Sequence, residues 1–399
     1  MSLNAVFLLS IPIIAALVGW LTNKLAVWMT FYPLDYYGRP PFGWQGIIPA
    51  KAHKMATKAV ELVTSKLISI EEEFEKLNAE EIVDEMRPRL NELSREIIES
   101  VMKRELPLIW RLLPSTQKEQ LYRETAAQFP AAISNVLLDV KSSIHELLDI
   151  NRMMVEGLTE DPEMLNRIFI KCGEKEFKFI EHSGFAFGFL FGLVQMLVWN
   201  YYQFWWLLPV GGLVVGYLTN FLALKLIFRP VHPIKIGPFK IQGLFMKRQN
   251  EVSKEYAKIL ADELLTSEQI FEFIIRTKGM DTFTDLARKH VKNMVDTTTG
   301  TTRKVVLQLT VGSSKYERMK HLAAEMFVEA LPVSIVSMFG YADKSLKIGP
   351  TLEAKLKALS KHEFENVLRP IFQEDEHILI IVGAVLGAVA GIIQMAFVL

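Results

Sequence analysis

The chain has 399 residues, half of them hydrophobic, and its 45 basic and 45 acidic side chains cancel to a net charge of zero. The single cysteine, Cys172, excludes an intrachain disulfide and a cysteine-built zinc cluster, and reads as a buried small apolar residue. Charge is segregated: segments 5–21, 183–199, 204–222 and 378–399 carry none, and each is 17–22 residues long, enough to cross a hydrocarbon core of ~30 Å as a helix.

The first span and its exit occupy 1–33. It lacks a basic flank before its apolar run and a close relative of it recurs mid-chain, so it reads as an anchor and not as a cleavable leader. The elbow Tyr32–Ala50 follows, and its prolines turn the chain at the membrane surface. Residues 34–182 read as a cytoplasmic helical domain. Ser69-x-x-Glu72 is a capping box, Ile82, Met86, Leu90, Leu93, Ile97 and Val101 form an apolar stripe, and Thr116-x-x-Glu119 is a second box. Phe129, Ile133, Val136, Val140, Ile144 and Leu147 make the next stripe, and Glu181-His182 precede the second span, 183–200.

The linker Asn200–Gln203 is short, and Trp199, Tyr201, Tyr202, Trp205 and Trp206 make an aromatic belt at one interface. The third span and its exit are 204–230, with an elbow at Arg229–Lys247. A second cytoplasmic helical domain spans 231–377. Thr266-x-x-Gln269 and Ser360-x-x-Glu363 start helices in it. Leu322, Met326, Ala330, Phe364, Val367 and Leu368 carry its apolar face, and Arg303–Val311 alternates like a strand. Pro88, Pro130, Pro332 and Pro370 are expected to break or kink helices. Glu376-His377 precede the fourth span, 378–399.

The chain repeats itself. Residues 12–33, PIIAALVGWLTNKLAVWMTFYP, align without a gap to 209–230, PVGGLVVGYLTNFLALKLIFRP. Gly184, Gly188, Gly192 and Gln195 return as Gly383, Gly387, Gly391 and Gln394. The expected fold is therefore an all-α integral membrane protein of two tandem parallel repeats, each a transmembrane helix, a cytoplasmic helical domain and a second transmembrane helix. Basic residues flank the inner ends of the spans: Lys24, Arg39 and Lys51 after the first, Lys171, Lys175 and Lys178 before the second, Lys225 and Arg229 after the third. By the positive-inside rule both large domains face the cytoplasm and both termini lie outside.

Two sets of repeated residues are candidates for function. The glycines fall at i, i+4 and i+8, with Gln195 and Gln394 at i+11, so each set lies on one helix face suited to close helix packing, the glutamine seeking an interhelical bond. Thr22-Asn23 and Thr219-Asn220 are polar pairs at the ends of spans. They read first as hydrogen bonds that hold the bend into the elbow, and second as contacts for a lipid headgroup or solute. Glu181-His182 and Glu376-His377 lack a third ligand and read as solvated surface. Arg229, Lys235, Lys240, Lys247 and Arg248 form a basic patch open to anionic headgroups, though orientation alone explains most of it. No phosphate loop, zinc-protease signature or nucleophile elbow is present.

The run Gly216-Tyr-Leu-Thr-Asn-x-Leu-Ala-x-Lys-x-x-Phe-Arg-Pro, with Gln242-Gly243 and the tail Phe364-Glu365-x-Val-Leu-x-Pro ending in the Gly383, Gly387, Gly391 and Gln394 stripe, resembles the YheB-like family of bacterial membrane proteins. That family is catalogued as a domain of unknown function, number 445. The resemblance covers both repeats and implies a multi-pass protein of the bacterial cytoplasmic (inner) membrane, but carries no activity over. One departure is Ile48-Pro49-Ala50-Lys51, where the second copy has Phe245-Met246-Lys247-Arg248.

The reading that follows is a non-enzymatic scaffold or tether with no cofactor and no metal. Its expected partners are membrane lipids and a protein or a second copy, and no nucleic acid. The alternative is a lipid or small-solute carrier with a site between the repeats near Asn23 and Asn220. An enzyme at the membrane face, using Glu181-His182 or Glu376-His377, ranks third.

Overall fold

The computed structural model describes residues 3–39, 43–299, 312–373 and 376–396. The expected strand Arg303–Val311 lies outside the described residues. What is described is almost entirely helical. Five helical runs are long and apolar enough to cross a membrane. Four are those expected: Leu3–Phe31, Pro162–Tyr201, Leu207–Phe228 and Glu376–Ala396. The fifth, Ser313–Ala358, lies in a stretch that carries charge. It is broken by a 3₁₀ turn at Val336–Met338 and by Lys347 in the left-handed region, φ 48°.

The chain forms two compact units, and each draws on both halves of the sequence. The first holds Met1–Leu67, Met154–Leu260 and Gly349–Leu399; the second holds Ile68–Met153 and Ala261–Ile348. The central parts of the two polar stretches, 68–153 and 261–348, belong to one unit, and their ends belong to the other. The reason is visible in the packing: helix Ala79–Glu105 lies against Ser313–Ile335, and Phe129–Ser142 lies against Gly279–Thr299. Each of these helices is packed against a helix from the other half.

In the first unit the membrane helix Leu3–Phe31 runs along Pro162–Tyr201, and Leu207–Phe228 runs along Glu376–Ala396. The second of these helices has 40 residues. A span needs about 20, so its charged first half continues beyond the apolar segment.

Both elbows are built alike at their roots. Gly46 N–H donates to Pro33 O and Gly243 N–H donates to Pro230 O, each at 2.9 Å. A Cβ at either glycine would come within 3 Å of the backbone of Phe31 or Phe228, so the chain returns onto the helix end only through glycine. Gln45 and Gln242 donate to Leu34 O (2.7 Å) and Val231 O (3.0 Å). One-turn helices follow at Ile47–Ala50 and Leu244–Lys247, so Pro49 does not set the two apart. The elbows differ at their tips. Tyr37 and Trp44 make a single bridge, whereas Ile234–Ile236 pairs antiparallel with Phe239–Ile241 around Gly237, φ 60°.

Some local expectations change. Ser69, Thr266 and Ser360 accept from the N–H groups of Glu72, Gln269 and Glu363 as capping boxes require. Thr116 does not: its helix begins at Ser115 behind Pro114, which already fixes an extended backbone there. Pro88 and Pro332 lie inside continuous helices, Pro130 opens one, and Pro370 lies within Lys361–Gln373. Burial of the flanking stripes outweighs one lost hydrogen bond. On Ser313–Ile335 the buried face is Ala323, Ala324, Leu331 and Ile335, while Leu322, Met326 and Ala330 are half-buried.

Candidate functional site: the glycine–asparagine seams

Asn23 and Asn220 are the polar centres of the two helix pairs. The Asn23 side chain is fully buried, and its Nδ2 donates to Ile180 O at 2.7 Å; Asn220 Nδ2 donates to Leu379 O at 2.7 Å. Each accepting carbonyl lies one helical turn before a glycine, Gly184 or Gly383. A Cβ at Gly184 would stand 2.7 Å from Asn23 Nδ2, and one at Gly383 would collide with Asn220 Nδ2. The amide thus reaches its carbonyl through the space that glycine leaves. The repeated glycine and the repeated asparagine are two halves of one contact.

The rest of each stripe is close backbone packing. Gly188 and Gly192 meet Ala15 and Pro12, and Gly387 and Gly391 meet Gly212 and Leu208; a Cβ at any of these four glycines would come within 3 Å of the facing backbone. Such approach gives van der Waals contact that lipid cannot match. Thr22 and Thr219 do not cross to a neighbour: each hydroxyl donates to the carbonyl of its own Gly19 or Gly216 at 3.2 Å. Gln195 and Gln394 are buried, yet their Nε2 atoms have no hydrogen-bond partner among the described residues. The interhelical bond expected of them is absent there; Gln195 instead fills the space beside Gly211.

The space left beside Asn220 is a pocket of about 20 Å³, bordered by Ala26, Thr30, Phe177 and Leu379. That is room for about one water.

Long-range ion pairs were invisible in the sequence. Glu176 is fully buried and accepts two bonds from Arg248, at 2.7 and 2.6 Å. Glu365, buried near the third span's exit, lies 3.4 Å from Arg229. Charge-assisted bonds from one Arg248 nitrogen, Nη1, to both oxygens of Glu176 offset part of the cost of burying that carboxylate. Arg229 and Arg248 are thereby engaged, and the expected basic patch shrinks to Lys235, Lys240 and Lys247, all exposed. His182 is exposed, with its ring Nδ1 2.6 Å from Lys178 O. Among the described residues no group of three or more His, Cys, Asp or Glu side chains could hold a metal ion. Cys172 is buried, and burial pushes its thiol above the usual range.

In the second unit, Asp139 accepts from Lys289 (2.9 Å) and His290 (2.8 Å). The Lys289 bond first, then His290, hold its carboxyl below the usual range. The same unit contains two apolar clefts, of about 210 and 190 Å³, that meet at Phe327. They explain why Ile133, Val136 and Val140 are only half-buried on their stripe, since they line the second cleft.

Long apolar helices joined along glycine seams, with hydrogen-bonding amides inside them, define an integral membrane protein of the all-helical class. Over 62 residues the chain is similar to a UPF0754 membrane protein of Bacillus cytotoxicus, 44% identical, which is 15% of this chain and 16% of that protein. UPF0754 membrane proteins of two Synechococcus strains, JA-2-3B'a(2-13) and JA-3-3Ab, are 38% identical over 65 residues and 36% over 78. The matched stretches span less than a fifth of these relatives: 16% and 19% of the two Synechococcus proteins. These bacterial membrane proteins agree with the YheB-like resemblance. No family model and no solved structure matches the chain.

Proposed function

We propose that the protein is a non-enzymatic membrane anchor and scaffold, built as two tandem parallel repeats. On this reading each repeat contributes a pair of spans locked by its own glycine–asparagine seam. The charged helical stretches between the spans face the cytoplasm of a bacterium, and both termini lie outside. Surrounding lipids and a protein partner or second copy are its proposed contacts.

The observation that carries the reading is the engagement of the repeated asparagine donors in helix packing. Asn23 and Asn220 spend their donors on helix carbonyls, and only about 20 Å³ remains beside Asn220. A solute pathway needs polar groups that line open space. That favours an anchor over a carrier with its site between the repeats. Crosslinking in native membranes followed by purification tests it: a stable partner or homo-oligomer is expected, and a lone monomer without partners overturns the scaffold.

A further inference from the structure

We infer that the second unit holds one anionic phospholipid, a stretch of each acyl chain in one of the two apolar clefts and its headgroup among Arg87, Arg95 and Arg123. This goes beyond the anchoring reading and does not depend on it.

Three features of one region support the inference. The first cleft, about 210 Å³, runs between helices Ala79–Glu105, Gly279–Thr299 and Ser313–Ile335, past Ile97, Val101 and Val291. The second, about 190 Å³, shares Phe327 with it and runs past Met86, Ile133 and Ile270. Each is lined almost wholly by apolar side chains and is of the order of the 150 Å³ apolar cavity that takes benzene, so each admits a stretch of hydrocarbon and not a whole acyl chain. The third feature is a polar pocket of about 380 Å³ that adjoins both. It shares Ser94 and Phe129 with the first cleft and Leu90 with the second. Its lining carries three guanidinium groups, Arg87, Arg95 and Arg123, and no carboxylate.

Two of those arginines already have acidic neighbours outside the lining. Arg95 is held by Glu119 at 2.8 Å, and Arg87 by Asp84. Arg123 has no ion-pair partner among the described residues, and it is exposed. A headgroup phosphate fits that unmatched charge, and guanidinium geometry suits it. One polar pocket next to two apolar clefts places charge beside two hydrocarbon sites, as a diacyl lipid does. A single apolar helix from a partner protein would need one straight groove with no branch, and would have no use for the arginines.

The test uses the full chain in nanodiscs of phosphatidylglycerol and phosphatidylethanolamine, with a photoactivatable diazirine on the phosphatidylglycerol acyl chain. Crosslinks mapped by mass spectrometry are expected within Leu93–Met102 and Val291–Thr298. Labelling confined to the four membrane helices overturns the proposal, because annular lipid alone explains it. Arg123→Ala, on the surface, is expected to lower cleft labelling about fivefold, at ~1 kcal/mol per basic contact. Unchanged labelling removes the headgroup assignment. Ile97→Trp fills the first cleft and is expected to abolish labelling there with the unfolding temperature maintained; if it unfolds instead, Arg123→Ala decides. Crosslinks from a photoreactive residue at position 97 to another protein, in place of lipid, overturn the proposal as well.

Discussion

At the scale of residues, the seams make the sharpest predictions. Asn220→Ala removes one interhelical bond to Leu379 O, and such bonds in membranes are worth about 1 kcal/mol. Gly383→Leu should cost distinctly more. It ejects the Asn220 amide and also forces Leu207–Phe228 away from Glu376–Ala396. Detergent-titrated unfolding of the two variants should rank them in that order; equal losses would mean that the glycine does no more than admit the amide. The buried pair Glu176–Arg248 behaves differently. Arg248→Met alone strands a buried carboxylate and should cost about 3–5 kcal/mol, while Glu176→Gln with Arg248→Met should recover most of it. Of these contacts the sequence exposed only the seams, because they repeat. Glu176 and Arg248 are 72 residues apart and follow no periodic pattern.

At the scale of elements, helix caps and cross-helix contacts decide stability. Ser360 exchanges bonds with Glu363 in both directions, so Ser360→Ala should destabilise the first unit by about 1 kcal/mol in thermal unfolding. Asp139 ties helix Phe129–Ser142 to Gly279–Thr299 through Lys289 and His290. The Lys289 bond first, then His290, hold its carboxyl below the ordinary aspartate range. A depressed carboxyl contributes stability above its unfolded value, and that contribution is lost as pH falls through the folded value. Thermal unfolding of the full chain should therefore weaken below about pH 4, and Asp139→Asn should show a smaller acid loss together with lower stability at neutral pH. A parallel pH profile in the variant would remove Asp139 as the cause. Element identity was legible where periodicity was strong, as at Ala79–Glu105. It failed where one residue overrode the pattern, as Pro114 did for the Thr116 box.

At the scale of the whole molecule, the second unit takes Ile68–Met153 from one half and Ala261–Ile348 from the other. Cutting the gene at the linker 200–203 tests this. Each half expressed alone should keep its spans yet leave its central helices open to protease, because their stripes lack the covering helices. Co-expression should restore protection of both; full protection of either half alone would restore the picture of two independent domains. The sequence by itself determined the long apolar helices, the internal sequence similarity, the proline turns after two of those helices and the small-residue seams. These rest on composition and local spacing, which are properties of neighbouring residues along the chain. Only the tertiary structure decided that Asn23 and Asn220 reach their carbonyls through glycine, that Arg248 is held by Glu176, and that the central parts of the two polar stretches, 68–153 and 261–348, share one helical unit lined with apolar clefts. Those depend on which faces meet across separations of more than 70 residues, where a single chain carries no periodic signal.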